Sequence, residues 1–185
     1  MKVLIFFIFY FFFFNFTTLK ADEKSNIVNT LKKIDSIQFN FSQTTNEITE
    51  KGFCILLFPN KLKCKYDNIN KKELIVNEKM MSITQRRYNK SIFYPLSKSN
   101  FISILSKKEL IKIITSSELI VDDYLNIVFY SENGSKTLIQ FDKNNFLLAG
   151  WVSRDQYNNE IIFKIDIVSK NKMIDDEIFS LPSRS

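Results

Sequence analysis

Two cysteines, Cys54 and Cys64, offer the most chemistry in this chain of 185 residues. The stretch that holds them, GFCILLFPNKLKCKY (Gly52 to Tyr66), reads as two short strands turning back at Phe58-Pro59-Asn60-Lys61. With Phe58-Pro59-Asn60 as the loop, Leu57 faces Lys61 and Cys54 lies directly opposite Cys64. A slip of one residue would put the thiols on opposite faces. In an oxidising compartment the first reading of the pair is a disulfide, and the second is two small buried hydrophobes. A bridge here closes a short loop, which places its stabilisation at the low side of ~2–4 kcal/mol.

Other catalytic or metal chemistry finds few residues to use. The chain has no histidine, hence none of the commonest general base and no triad built on it. Three glycines leave no G-x-S-x-G and no phosphate-cradling loop. The cysteine spacing does not suit a zinc knuckle, and there is no second pair. Asp122-Asp123 and Asp175-Asp176-Glu177 read as solvated turns before they read as cation sites. The expectation is a protein with no cofactor, no metal and no enzymatic activity.

The elements around the cysteines alternate in period. Ser25 or Asn26 caps a helix expected from Ile27 to about Asp35, with Ile27, Leu31 and Ile34 on one stripe. Ile37, Phe39 and Phe41 then alternate with polar residues, giving a strand from Ile37 to about Thr45. Strands at Glu73–Val76 and Lys79–Thr84 flank Asn77-Glu78, and SIFYPL (Ser91–Leu96) is extended. Between Ser99 and Leu119 the spacing is helical, behind a Ser99 or Asn100 cap. LNIVFY and KTLIQF (Leu125–Tyr130, Lys136–Phe141) join across Asn133-Gly134, a strong hairpin signal. FLLAGWVSR and EIIFKIDIV make a last pair. Roughly ten strands in consecutive hairpins, with helices early and in the middle, give an α+β fold: one strongly curved antiparallel sheet with helices on one side.

The N-terminus has its own pattern. Met1-Lys2 precedes an apolar run from Val3 to Phe16, and Ala21 then meets the polar Asp22-Glu23-Lys24. This reads as a cleaved signal peptide over residues 1–21, leaving a single domain over 22–185. A membrane anchor is the other reading, for which the run is short against the roughly 20 residues of a span. Without Lys2 and Lys20 the 26 basic residues become 24 against 20 acidic ones, a mild excess. The lysines are spread through the turns, not gathered in a nucleic-acid stripe.

LKKIDSIQFNFSQ (Leu31–Gln43), Gly52, Pro59-Asn60-Lys61-Leu62 and LIVNEKMM (Leu74–Met81) together resemble the periplasmic lipoprotein carrier proteins of the LolA type. Ser99-Asn100-Phe101, Trp151 with Asp155, and Asp175–Phe179 resemble later landmarks more loosely. The resemblance implies an incomplete, unclosed β-barrel with a helical lid over its concave apolar side. It also implies a periplasmic monomer in a Gram-negative bacterium, with acylated lipoproteins as cargo. Its implied partners are an inner-membrane lipoprotein-releasing transporter and an outer-membrane lipoprotein acceptor. Where many members carry an arginine that holds the lid, this chain has Phe58, so the expectation is either a lid closed by apolar contact alone or a relative with another cargo. Another use of such a half-barrel is as a periplasmic sensor or protein-interaction module.

The expected acyl-chain cavity takes Ile37, Phe39 and Phe41 from one strand face and Leu56, Phe58, Leu62 and Cys64 from the hairpin. Leu31 and Ile34 join them from the helix stripe. The same stripes could instead form a filled core. A charge at Phe58 or Leu62 separates the two, because it unfolds a filled core and is tolerated at the border of an opening cavity.

Overall fold

The computed structural model describes residues 15–98, 102–131, 134–155 and 157–183. Residues 1–14, most of the expected signal peptide, and the Ser99–Asn100 cap and Asn133 lie outside them. Eleven strands form one antiparallel sheet: β1 (Ser36–Thr45), β2 (Ile48–Leu57), β3 (Lys61–Tyr66), β4 (Lys72–Asn77), β5 (Met80–Gln85), β6 (Lys90–Pro95), β7 (Glu118–Val121), β8 (Leu125–Tyr130), β9 (Lys136–Phe141), β10 (Leu148–Arg154) and β11 (Glu160–Lys170). Their spatial order is β6-β5-β4-β3-β2-β1-β11-β10-β9-β8-β7. Two meanders therefore meet at one seam, where β1 lies against β11, and the sheet curls without closing. A register shift between Gln38 and Phe39 marks that seam. Such irregularities increase the local twist that curls a sheet.

Among the described residues three α-helices cover the concave side: α1 (Asn15–Lys32), α2 (Ile102–Leu105) and α3 (Lys107–Ser116). α1 is longer at its start than the expected helix, so Ser25 and Asn26 lie inside it and do not cap it. It ends three residues sooner than expected. Ile34 follows in a tight turn closed by its amide donating to the Leu31 carbonyl, and is still buried. The single helix expected up to Leu119 is broken at Ser106, whose hydroxyl accepts from the Glu109 amide and caps α3. It stops at Ser116, and Glu118–Val121 is instead β7, because Leu119 pairs with Ile127 and is buried there. Strand pairing and burial outweigh helical spacing in so short a stretch.

In a chain this poor in glycine, asparagine takes many of the left-handed turn positions. Asn46, Asn60, Asn89, Asn158 and Asn171 all have positive φ. Its short side chain tolerates that region better than most residues do. Concave-face residues form continuous rows across the sheet, as in Leu56–Leu62–Val76–Met81 and Leu119–Ile127–Ile139–Trp151–Phe163. With the helices they make one hydrophobic core.

Candidate functional site: an apolar cavity under a helical lid

Alternation places the site. Odd-numbered residues of β1 and β11 and even-numbered residues of β2 to β4 share the concave face, since side chains in a strand point to opposite sides in turn. Leu57 pairs with Lys61 and Cys54 with Cys64, and the two sulfurs are joined in a disulfide with their Cα atoms 4.1 Å apart. The bridge belongs to the wall of a cavity of about 100 Å³. Ile37, Phe39, Leu56 and Leu62 share that wall, and Ile104 and Leu105 of the short helix α2 form part of the roof.

A second space of about 20 Å³ adjoins it, sharing Ile37 and Leu148. Leu31, Ile34, Phe58 and Leu110 line this smaller one. Eight of the nine residues expected around an acyl-chain cavity thus border these two spaces. Phe41 borders neither. Its ring stacks 5.1 Å from Phe163 and meets Tyr66 edge-on at 4.9 Å, so it supports the wall from within the sheet. Trp151 continues the stack, 4.0 Å from Phe163.

Sequence reasoning missed the part of the lining that comes from β10 and β11. Trp151, Phe163 and Ile165 border the larger space, and Ile167 the smaller. The signal was present, since Phe163, Ile165 and Ile167 share a parity. It became usable only once β11 was known to pair with β1, far away in sequence.

At one end the larger cavity reaches Gln43 and Tyr66. Burial pushes the Tyr66 phenol up to about 12, with the nearby Glu50 carboxylate adding to the effect, so its hydroxyl stays neutral. Lys72 lies 3.8 Å over the Tyr66 ring and pairs with Glu50. The cavity thus ends in a phenol backed by an ion pair. Three of the acidic groups singled out in the sequence have structural work: Asp122 accepts from the Tyr124 amide and from Asn126, Asp175 caps a short turn of helix, and Asp176 pairs with Lys61.

The lid is not held by apolar contact alone, which corrects the expectation from Phe58. The Asn60 amide, in the turn beside Phe58, donates to the Leu105 carbonyl at 3.1 Å. Lys107 at the start of α3 pairs with Asp35 at 3.1 Å and stands 5.4 Å from the Phe58 ring centroid. The cation is carried by the lid, and the ring and carboxylate by the barrel and its entry turn. Each such exposed contact is worth about 1 kcal/mol or less, a strength that permits opening.

Removing the bridge should loosen the wall. Cys54→Ala/Cys64→Ala is expected to lose about 2–3 kcal/mol, read as a lowered denaturant midpoint. The unreduced protein should weigh two hydrogens less than the reduced one. Two alkylatable thiols in the native protein would contradict the paired cysteines.

Several solved structures superpose on the chain. A DUF1329 family protein from Desulfovibrio piger superposes with a TM-score of 0.50 at 9% identity, over 86% of this chain and 96% of that one. LprF from Mycobacterium bovis gives 0.49 at 12% identity, over 90% and 98%. A LolA superfamily protein from Nitrosomonas europaea gives 0.48 at 11% identity, over 85% and 97%. At 9% identity the first of these speaks for a common fold and nothing further. No curated protein matches the chain at a significant level. The family model described as outer membrane lipoprotein carrier protein LolA matches residues 32–182, which is most of the sequence, and the chain belongs to that family.

Proposed function

We propose that the protein is a periplasmic carrier that shields the acyl chains of lipoproteins and transfers them from the inner to the outer membrane. The observation that carries the reading is the apolar cavity walled by the concave sheet and roofed by a short, lightly fastened helix. Burying an acyl chain is worth ~0.8 kcal/mol per CH₂, so an apolar lining is sufficient machinery and no catalyst is needed. About 100 Å³ holds only a few water-sized groups, far less than a long acyl chain. Loading therefore requires α2 and the start of α3 to lift, and the ties of the Leu105 carbonyl to the Asn60 amide and of Lys107 to Asp35 are the ones to break.

Under this reading residues 1–21 are a cleaved signal peptide and 22–185 the carrier domain. The Ala21–Asp22 bond lies inside α1, and cleavage there leaves Ile27, Val28 and Leu31 buried as before. It would also put Asp22 and Glu23 at the new helix start, where negative charge is favoured. The inner-membrane transporter and outer-membrane acceptor implied by the family are the partners in this scheme. A protein-interaction module is the second reading, favoured by the exposed Ile92 and Tyr94 on the open edge strand β6.

Uptake of an apolar fluorophore, and its displacement by a lipopeptide with intact acyl chains, tests the proposal. Displacement by the acylated peptide but not by the same peptide without lipid is the expected result. Equal displacement by both would favour the protein-interaction reading.

A further inference from the structure

Five hairpin connections lie at the end of the half-barrel away from the Phe58 turn and the lid, those that follow Thr45, Tyr66, Gln85, Tyr130 and Arg154. The up-and-down strand order requires this, with Thr45 paired to Ile161 across the seam. At each turn one large apolar or aromatic residue stands in solvent: Ile48 (72% exposed), Ile69 (76%), Tyr88 (59%), Tyr130 (62%) and Tyr157 (76%). Single exposed hydrophobics are ordinary on any surface, but here every one of the five turns carries one. In the turns at the other end Phe58, Leu96, Phe146 and Leu147 are folded onto the core. The remaining exposed ones, among the described residues, lie on β6, β7 and β11 or at Met173, with Val121 and Met173 at the lid end.

Charge follows the same end. Lys51, Lys65, Lys71, Arg87, Lys90 and Lys136 are exposed in or beside these turns, against exposed Glu47, Asp67 and Glu160. We infer that this rim docks on an anionic lipid bilayer, its five tips entering the headgroup region while the cations face lipid phosphates.

The spacing favours a bilayer over a protein partner. Neighbouring turns are two strands apart, roughly 10 Å, so the tips form an arc of separate points with charges between them. A protein partner of ordinary affinity needs a contiguous, well-packed apolar centre. Tyrosine suits the boundary between hydrocarbon and water, with its ring in one and its hydroxyl in the other. Exposed cations are drawn to the negative potential of anionic leaflets. The larger cavity reaches Gln43 and Tyr66 at this same end, so docking would bring it toward the lipid. The inference goes beyond the carrier reading and does not depend on it, because docking is measured without cargo.

Vesicle flotation tests it, using phosphatidylethanolamine–phosphatidylglycerol vesicles beside phosphatidylcholine ones. The protein should float with the anionic vesicles, less so in raised salt and less with the neutral ones. Ile69→Ser/Tyr88→Ser/Tyr157→Ser should lose roughly tenfold or more in partitioning, since three interfacial side chains are removed. Met173→Ser should match the parent. The melting temperature and apolar-dye binding of the triple variant should stay at parent values, which separates loss of docking from loss of the cavity. Were the triple variant to melt lower, Tyr157→Ser alone gives the reading, with a smaller loss in the same direction. Equal flotation of parent and variants, no preference for anionic vesicles, or no flotation of the parent would each overturn the inference, the last leaving a protein as the rim's partner.

Discussion

Leu62→Glu should fail to fold, whereas Phe58→Glu should fold and lose its hold on apolar ligands. The sequence treats the two positions alike, and the structure separates them. Leu62 is buried in the cavity wall, between Leu56 and Val76 on the neighbouring strands. A carboxylate there has no partner, and the cost is about 4 kcal/mol or more. Phe58 is only partly buried, with the Lys107 ammonium 5.4 Å from its ring centroid. The new carboxylate of Phe58→Glu meets that cation, so the loss should stay near 1 kcal/mol, or roughly 2–4 °C of melting temperature. Its charge would nevertheless stand at the smaller cavity, and apolar-dye binding should weaken by about tenfold. Thermal melts and dye titrations of both variants decide the matter. A Leu62→Glu protein melting like the parent would mean that the wall is wet. Unchanged dye binding in Phe58→Glu would place the ligand elsewhere.

Gly52→Ala should be nearly as damaging, although only one methyl is added. A Cβ at position 52 would lie 2.1 Å from the Lys65 carbonyl oxygen and 2.8 Å from Phe41 Cε1. The oxygen belongs to the paired backbone of β3, one residue from the bridge, and cannot retreat without opening the β2–β3 ladder. The expected loss is about 3 kcal/mol or more, a drop of roughly 6–12 °C. Gly134→Ala is the comparison: nothing lies within 4 Å, and only its positive φ of 80° opposes the change. That variant should lose about 1 kcal/mol. Equal melting of the two variants would show that the close approach at Gly52 does not constrain the hairpin.

Local signals in the sequence carried the hairpins. Alternation, turn residues and a three-residue loop placed Cys54 opposite Cys64 and kept Ile37, Phe39 and Phe41 on one face. These depend on neighbours within a dozen residues. The seam between β1 and β11 joins residues more than a hundred positions apart, and no local pattern announces it. The part of the cavity lining that β10 and β11 supply was hidden with it. β7 was hidden for another reason: Ile111, Ile113, Ile114, Leu119 and Ile120 suit a helix or a strand, and only the pairing of Leu119 with Ile127 decides. The lid's polar ties were also beyond reach, because Lys107, Phe58 and Asp35 come from three separate segments. With Phe58 in the arginine's place, no local pattern points to the lysine opposite it.

The central claim is that the cavity carries acyl chains, and native mass spectrometry of the protein recovered from the periplasm tests it most directly. The predicted spectrum shows the chain starting near Asp22, with the disulfide intact and an acylated species bound in one-to-one ratio. Leu62→Glu, if any folds, and Phe58→Glu should be recovered with that species reduced or absent. A parent protein recovered only in its empty form, while an acylated lipoprotein is present in the same compartment and an apolar dye does not bind, would contradict the account.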